Sequence, residues 1–180
     1  TAWLENAPAP LFTAFVIFAS FSTYFCMYAF RKPFSAASYE GLKFLGGDID
    51  LKTAFVISQI IGYALSKVIG IKVCAEIDRQ KRARGLVLMI VVAELSLLLF
   101  AVLPNNLKVI AIFFNGLPLG MVWGLVVLYL EGRRTSEMLL AGLSCAYIVA
   151  SGAVKDIGLW LMSNFQVDQF WMPCVTGFCF

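Results

Sequence analysis

Two long stretches without a charged residue limit what this chain can fold into. Residues 6–30 and 109–130 contain no Asp, Glu, Lys or Arg, and about 20 apolar residues in a helix are enough to cross roughly 30 Å of hydrocarbon. The chain is 61% hydrophobic and 14% charged, whereas soluble domains average about 45–50% and about 25%. The sequence therefore predicts an all-α membrane protein whose apolar surface is dissolved in lipid.

Apolar segments separated by short polar loops predict six membrane spans. They cover approximately residues 10–30, 52–73, 85–103, 107–130, 138–163 and 169–180, with the last truncated by the end of the sequence. No linker divides residues 1–180. We therefore expect one transmembrane bundle, and because the sequence ends inside an apolar segment we expect it to be a fragment of a longer protein.

The residue types that are absent exclude several kinds of site. There is no His, which removes His-containing zinc sites and Ser-His-Asp triads. The five cysteines form no Cys-x-x-Cys motif and are predicted to be free thiols. A net charge of +3 gives no reason to expect nucleic acid as a partner. We expect a protein that is not an enzyme and has no catalytic residues, metal or cofactor.

The distribution of basic residues predicts the orientation. Loops on one side carry seven of them: Lys72, Arg79, Lys81, Arg82, Arg84, Arg133 and Arg134. Loops on the other side carry five: Arg31, Lys32, Lys43, Lys52 and Lys108. Cytoplasmic loops are enriched in Lys and Arg. The first side and the N-terminus are therefore predicted to be cytoplasmic, and the chain to lie in a bacterial inner membrane.

The loop after the second span carries an acid followed by basic residues. Asp78, Arg79 and Arg82 match the pattern Gly-x-x-x-Asp-Arg-x-Gly-Arg-Arg of the major facilitator superfamily. Cys74 and Lys81 stand where that pattern has glycines. The loop resembles the signature loop of this superfamily, which implies a facilitator-type six-helix bundle with Asp78, Arg79 and Arg82 as a cytoplasmic gate. The alternative is a basic membrane anchor with incidental acids.

Two basic residues end the first span. The segment from Tyr28 to Tyr39 resembles the Arg-Lys-x-Phe stretch of organophosphate:phosphate antiporters, a group within the same superfamily. The resemblance implies that Arg31 binds the anionic group of the substrate, with Lys32 beside it. A guanidinium offers a planar fork to phosphate or carboxylate. Alternatively, both side chains extend to the headgroups from the end of an ordinary span.

The second span continues the resemblance. Tyr63, Ser66 and Lys67 fit a Tyr-Gly-x-Ser-Lys stretch of the same antiporters, which implies further substrate contacts. A lysine inside a span costs about 2.5–3.5 kcal/mol on insertion scales, so Lys67 needs an aqueous cavity or a partner. The alternative is that Lys67, which lies close to Lys72, reaches the cytoplasmic headgroups.

Three further charges lie inside predicted spans. Glu94 is near the middle of span three, where a carboxylate faces the bundle interior or is protonated. We expect it to pair with Lys67 or Lys155, or to carry a coupling proton. Lys155 and the adjacent Asp156 point in different directions on a helix, so Lys155 is predicted to join the substrate cavity and Asp156 to balance charge. A purely structural role is the alternative for each.

Span four carries a stripe of small residues. Gly116, Gly120 and Gly124 recur at every fourth position, with Pro118 between them. We expect this stripe to let a neighbouring helix approach closely, and we expect Pro118 to kink the helix. Neither feature is interpreted as ligand chemistry.

Together these features predict a secondary active transporter that moves a small organic anion, such as an organophosphate, by alternating access. Its expected partners are the anionic substrate, the lipid bilayer and the second six-helix half. The predicted substrate contacts are Arg31, Lys32, Tyr63, Lys67 and Lys155, with Glu94 and Asp156 for coupling or charge balance. Two alternatives stay open: a non-transporting sensor or scaffold with the same fold, and a membrane-embedded enzyme acting on lipid.

Overall fold

The computed structural model describes residues 8–78, 80–130 and 136–180, which are predominantly helical. The α-helices of this part are α1 (Ala9–Arg31), α2 (Leu51–Glu76), α3 (Arg82–Val102), α4 (Asn105–Leu130), α5 (Ser136–Phe165) and α6 (Met172–Phe178). Two short 3-10 turns, Pro33–Ser35 and Phe44–Gly46, lie in the connection between α1 and α2.

Among the described helices, α1 to α5 are long and apolar enough to cross a membrane. The most apolar of the five is α3, with a mean hydropathy of 2.7. This confirms the all-α class, and by length and composition it indicates an integral membrane protein. The truncated sixth span that the sequence predicts, residues 169–180, contains the seven-residue helix α6.

Prolines set several helix boundaries. Pro10 lies in the first turn of α1, where its missing N–H would have had no helical partner. Pro33 is the second residue after α1 and begins a 3-10 turn. Because a proline cannot donate the next helical hydrogen bond, α1 stops at Arg31. Pro104 separates α3 from α4 in the same way.

The most extensive helix contact joins α2 to α4. The glycine stripe of α4 faces α2, as predicted: a Cβ added at Gly116 would lie 2.6 Å from the Gln59 carbonyl oxygen. A Cβ added at Gly120 would collide with the Ser66 hydroxyl. Only glycine allows backbones to approach this closely, so α2 is held at a fixed position along α4.

One end of the bundle is closed by an aromatic–lysine cluster, which consists of Tyr39, Phe55, Phe100, Lys108 and Phe170. The ring centroids of Phe55 and Phe100 lie 5.0 Å apart, and those of Tyr39 and Phe170 lie 5.3 Å apart. The Lys108 ammonium donates to the carbonyl oxygens of Phe100 (2.8 Å) and Ala101 (3.1 Å). It also lies 4.2 Å from the Phe170 ring centroid.

This cluster corrects one sequence prediction. Lys108 was expected among the loop cations, but it is only 4% exposed. The last carbonyl groups of a helix have no donor within that helix, and Lys108 supplies one to the end of α3 while the rings around it exclude water. Its charge therefore stabilises a helix end instead of marking a loop.

Candidate functional site

The end of α1 is held in the bundle interior by two amide side chains. The Asn115 amide donates to the carbonyl oxygens of Phe30 (3.1 Å) and Ala93 (3.2 Å). Gln59 donates to the Arg31 carbonyl oxygen and to the Asn115 side-chain oxygen, both at 3.0 Å. Asn115 is 0% and Gln59 6% exposed. Such buried amides bridge membrane helices, and these two satisfy carbonyl groups that the end of α1 leaves unpaired.

These bonds fix the depth of Arg31 in the bundle. Ala93 lies near the middle of α3, and Asn115 lies well inside α4. Tyr63, which contacts the Arg31 side chain, lies at the middle of α2. Helix α1 therefore ends level with the central parts of its neighbours.

A ladder of cations and aromatic rings begins at this point, and it consists of Tyr28, Arg31, Tyr63, Lys67 and Trp123. The Arg31 guanidinium carbon lies 3.9 Å from the Tyr63 ring centroid and 5.8 Å from that of Tyr28. The Lys67 ammonium lies 5.1 Å from the Tyr63 centroid and 4.8 Å from that of Trp123. Ring faces attract cations, so side chains of α1, α2 and α4 form one continuous set of contacts.

Neither cation of the ladder has a carboxylate partner among the described residues. In this part of the chain, ion pairs join Lys43 to Asp50 (2.7 Å) and Lys81 to Asp78 (3.1 Å), both at exposed positions. The Nε atom of Arg31 is buried and has no hydrogen-bond acceptor within the described ranges. An arginine stays charged at all ordinary pH values. The ladder is therefore a region of uncompensated positive charge that attracts anions.

A cavity of about 340 Å³ lies beside Lys67, between α2 and α4. Its walls are largely apolar or glycine and include Gly70, Ile71, Cys74, Met121, Trp123 and Leu128. Lys67 contributes the only charged side chain to the described wall. The cavity is therefore suited to a molecule with one anionic group and an apolar body.

Two further lysines, Lys32 and Lys155, lie within electrostatic range of each other. Lys32 is half-buried and lies within electrostatic range of Arg31 and Lys155. Lys155 is half-buried on α5, whereas its neighbour Asp156 is exposed. The structure therefore brings Lys155 close to the basic end of α1 and gives Asp156 different surroundings, because consecutive residues of a helix point in different directions.

Glu94 faces α6 and not the ladder. Its Oε1 accepts a hydrogen bond from the Cys174 thiol (3.2 Å), and its carboxyl group lies against Gly177. The structure does not contain the expected pairing with Lys67 or Lys155, because this side of α3 packs against α6. Within the described ranges, no three His, Cys, Asp or Glu side chains are grouped so that they could hold a metal ion.

The start of α3, directly after the loop between α2 and α3, contacts the end of α4 through Arg82. Its guanidinium donates to the Leu128 carbonyl oxygen (3.1 Å), at the C-terminal end of a helix where the helix dipole favours a cation. Asp78 forms its exposed ion pair with Lys81 of the same loop. Arg79, the third residue of the predicted gate, lies outside the described residues. Arg82 thus joins the start of α3 to the end of α4.

The sequence patterns do not identify the residues that position the ladder. They assign no role to Gln59 and Asn115 at the end of α1, or to Trp123 as a contact of Lys67. The usable signal was polarity, because an amide inside an apolar span requires a hydrogen-bond partner. The partner itself depends on how the helices are rotated and offset, which one sequence does not contain.

A comparison with protein families matches residues 33–180 to the model described as a family of unknown function, DUF5690. The matched region includes Tyr63, Lys67 and Trp123, and it begins just after Arg31 and Lys32. No curated protein and no solved structure matches the chain. Because the match extends over most of its residues, the chain belongs to the DUF5690 family.

Proposed function

We propose that this chain is the N-terminal six-helix half of a facilitator-type secondary transporter that moves a small organic anion, such as an organophosphate, by alternating access. One observation carries the proposal. Arg31 and Lys67 both contact Tyr63 at the level of the helix centres, and neither has a carboxylate partner among the described residues. Ionised side chains are costly at this depth and are retained where they serve a ligand or an ion path.

The two cations have complementary roles in this proposal. Arg31 offers its planar fork to a phosphate or carboxylate, and Lys67 adds a compact charge on a flexible stem. Tyr63 contacts both, so it sets the position of the cations relative to each other. The position of Arg31 beside the centre of α2 supports the assignment, because transporters of this kind bind substrates near the midplane.

Alternating access requires contacts that form and break at one end of the bundle. Lys155 and Lys32 would extend the positive path beside the ladder. The Arg82 contact with the Leu128 carbonyl group would belong to the cytoplasmic gate, together with Asp78 and Arg79. In this orientation, the loop between α2 and α3 is cytoplasmic in a bacterial inner membrane. Glu94 and Asp156 remain candidates for coupling or charge balance.

Uptake of glycerol phosphate and sugar phosphates into vesicles that contain the full-length protein tests the proposal. We expect Arg31→Ala to abolish uptake, because the anion loses its bidentate donor. Arg84→Ala is the matched control, since Arg84 is an exposed arginine on α3, and we expect it to transport normally. Unchanged uptake by Arg31→Ala would remove the anion site. A wild-type protein that moves no solute and retains a bound partner would favour the sensor or scaffold alternative.

The gate and the orientation have separate tests. We expect Arg82→Ala to slow uptake without weakening anion binding, because Arg82 contacts Leu128 and lies at the end of the bundle. Transport at the wild-type rate would remove Arg82 from the gate. A reporter fused at position 82 should respond to the cytoplasm, and an extracytoplasmic reading would reverse the orientation.

A further inference from the structure

The cavity beside Lys67 has few hydrogen-bonding groups on its walls. Apart from Lys67, the polar side-chain atoms among the lining residues are the Cys74 thiol and the Trp123 indole nitrogen. The glycines of the lining lie within α2 and α4, where backbone groups are already paired along the helix. A sugar would bury several hydroxyl groups here without partners, and each unpaired group weakens binding.

The same walls suit a flat apolar group. Trp123 offers an indole ring, and aromatic rings attract one another in offset or edge-to-face arrangements. Met121 adds a polarizable sulfur that packs well against rings. An empty cavity of about 150 Å³ is large enough to hold benzene, so the ≈ 340 Å³ here accommodates one ring with a short acidic side chain.

We propose that the substrate is an aryl monocarboxylate, with its carboxylate at Lys67 and its ring against Trp123 and Met121. This inference rests on the proposed function and narrows it from organic anions in general to one class. Lys67 is the cation at the cavity, and its single charge matches one carboxylate. Arg31 lies beyond Tyr63 on the same ladder.

Equilibrium titration of the detergent-solubilised full-length protein with phenylacetate, acetate and glycerol 3-phosphate tests the inference without any substitution. We expect phenylacetate to bind about tenfold or more tightly than acetate, because only phenylacetate buries a ring. We also expect it to bind more tightly than glycerol 3-phosphate. Equal affinities for phenylacetate and acetate would overturn the inference.

Substitutions then locate the binding. Lys67→Gln should weaken the binding of phenylacetate by about tenfold or more, whereas Lys67→Arg should retain most of the affinity. Lys72→Gln is the matched control, because Lys72 is an exposed lysine of α2 outside the cavity wall, and it should bind as the wild type does. Trp123→Leu should weaken the binding of phenylacetate more than that of glycerol 3-phosphate. Trp123→Phe should bind phenylacetate with an affinity between those of the wild type and Trp123→Leu.

The outcomes separate this inference from the proposed function. If glycerol 3-phosphate binds more tightly than phenylacetate and both depend on Lys67, the aryl assignment fails and the anion transporter stands. If neither anion binds in a manner that depends on Lys67, both fail. Because Lys67→Arg keeps the charge, retained binding in this variant together with a loss in Lys67→Gln assigns the effect to the charge at position 67.

Discussion

The ladder and the aromatic–lysine cluster both place cations against aromatic rings, yet they differ in how fully the cations are satisfied. Lys108 is 4% exposed, and its ammonium donates to two carbonyl oxygens beside the Phe170 ring. Arg31 lies against two rings, but its buried Nε has no acceptor within the described residues. A cation with all its partners inside the fold stabilises structure, whereas one that lacks a partner retains capacity for a ligand.

The ladder and the aromatic–lysine cluster also differ in their surroundings. The aromatic–lysine cluster joins the connection between α1 and α2 to α2, α3, α4 and the segment before α6. The ladder runs along α1, α2 and α4 and ends beside an open cavity at Lys67. By burial alone, Lys108 would be the candidate for a functional lysine. The lack of carboxylate partners among the described residues instead makes Arg31 and Lys67 the candidates.

The largest effect is expected from Lys108→Met. The substitution leaves the Phe100 and Ala101 carbonyl groups without their donor and removes the contact with the Phe170 ring. We expect a loss of about 2–4 kcal/mol in stability, measured by unfolding in detergent. Lys52→Met, at the start of α2 and more exposed, is the control. A loss no larger than that of the control would show that Lys108 is not structural.

Gly120→Ala tests whether the ladder depends on the close approach of α2 and α4. The new Cβ would collide with the Ser66 hydroxyl and lie 2.9 Å from the Tyr63 carbonyl oxygen. We expect a destabilisation of about 1–3 kcal/mol, together with weaker anion binding. Gly152→Ala on α5 is the control, because nothing lies within 4 Å of a Cβ there. Similar melting temperatures for the two variants would contradict the close packing.

Arg31→Gln and Lys67→Gln test how much the cations of the ladder contribute to stability. Each removes cation–ring contacts but also relieves uncompensated positive charge. We expect each to change stability by roughly 1 kcal/mol or less, far below the effect of Lys108→Met, and to weaken anion binding strongly. A loss of stability as large as that of Lys108→Met would mean that the ladder is a structural element.

The smallest effect concerns pH and Tyr39 of the aromatic–lysine cluster. Burial raises the pKa of the Tyr39 hydroxyl, and nearby Asp168 raises this pKa further. The folded state therefore keeps a proton that the unfolded chain releases near about pH 10, so stability falls as pH rises through and above that value. We expect Tyr39→Phe to lose less stability between neutral pH and about pH 11. Identical alkaline profiles in unfolding experiments would contradict this cause.

Much of the fold was predictable from the sequence, because its physical causes are local. The uncharged runs locate α1 and α4, and the glycine stripe correctly predicts a close helix contact. Other features depend on the offset and rotation of helices. The depth at which α1 ends is set by Asn115 and Gln59, and the direction of Glu94 by the packing of α6.

The same limit applies to the candidate site. Tyr63 and Lys67 lie one helical turn apart, so their proximity follows from sequence alone. The approach of Arg31 to Tyr63 and of Lys67 to Trp123 needs the arrangement of three helices. The prediction that Lys108 is a loop cation was wrong because its position close to Pro104 and two asparagines is typical of an exposed turn. Its carbonyl partners belong to the preceding helix.

The shift in melting temperature that an anion causes tests whether Arg31 and Lys67 form the anion site, because a ligand that binds only the folded state stabilises it. We expect phenylacetate or glycerol 3-phosphate to raise the melting temperature of the wild type and of Lys72→Gln. We expect no rise for the double variant Arg31→Gln, Lys67→Gln. An equal rise in the double variant would show that anions bind elsewhere and that these two cations are not the site.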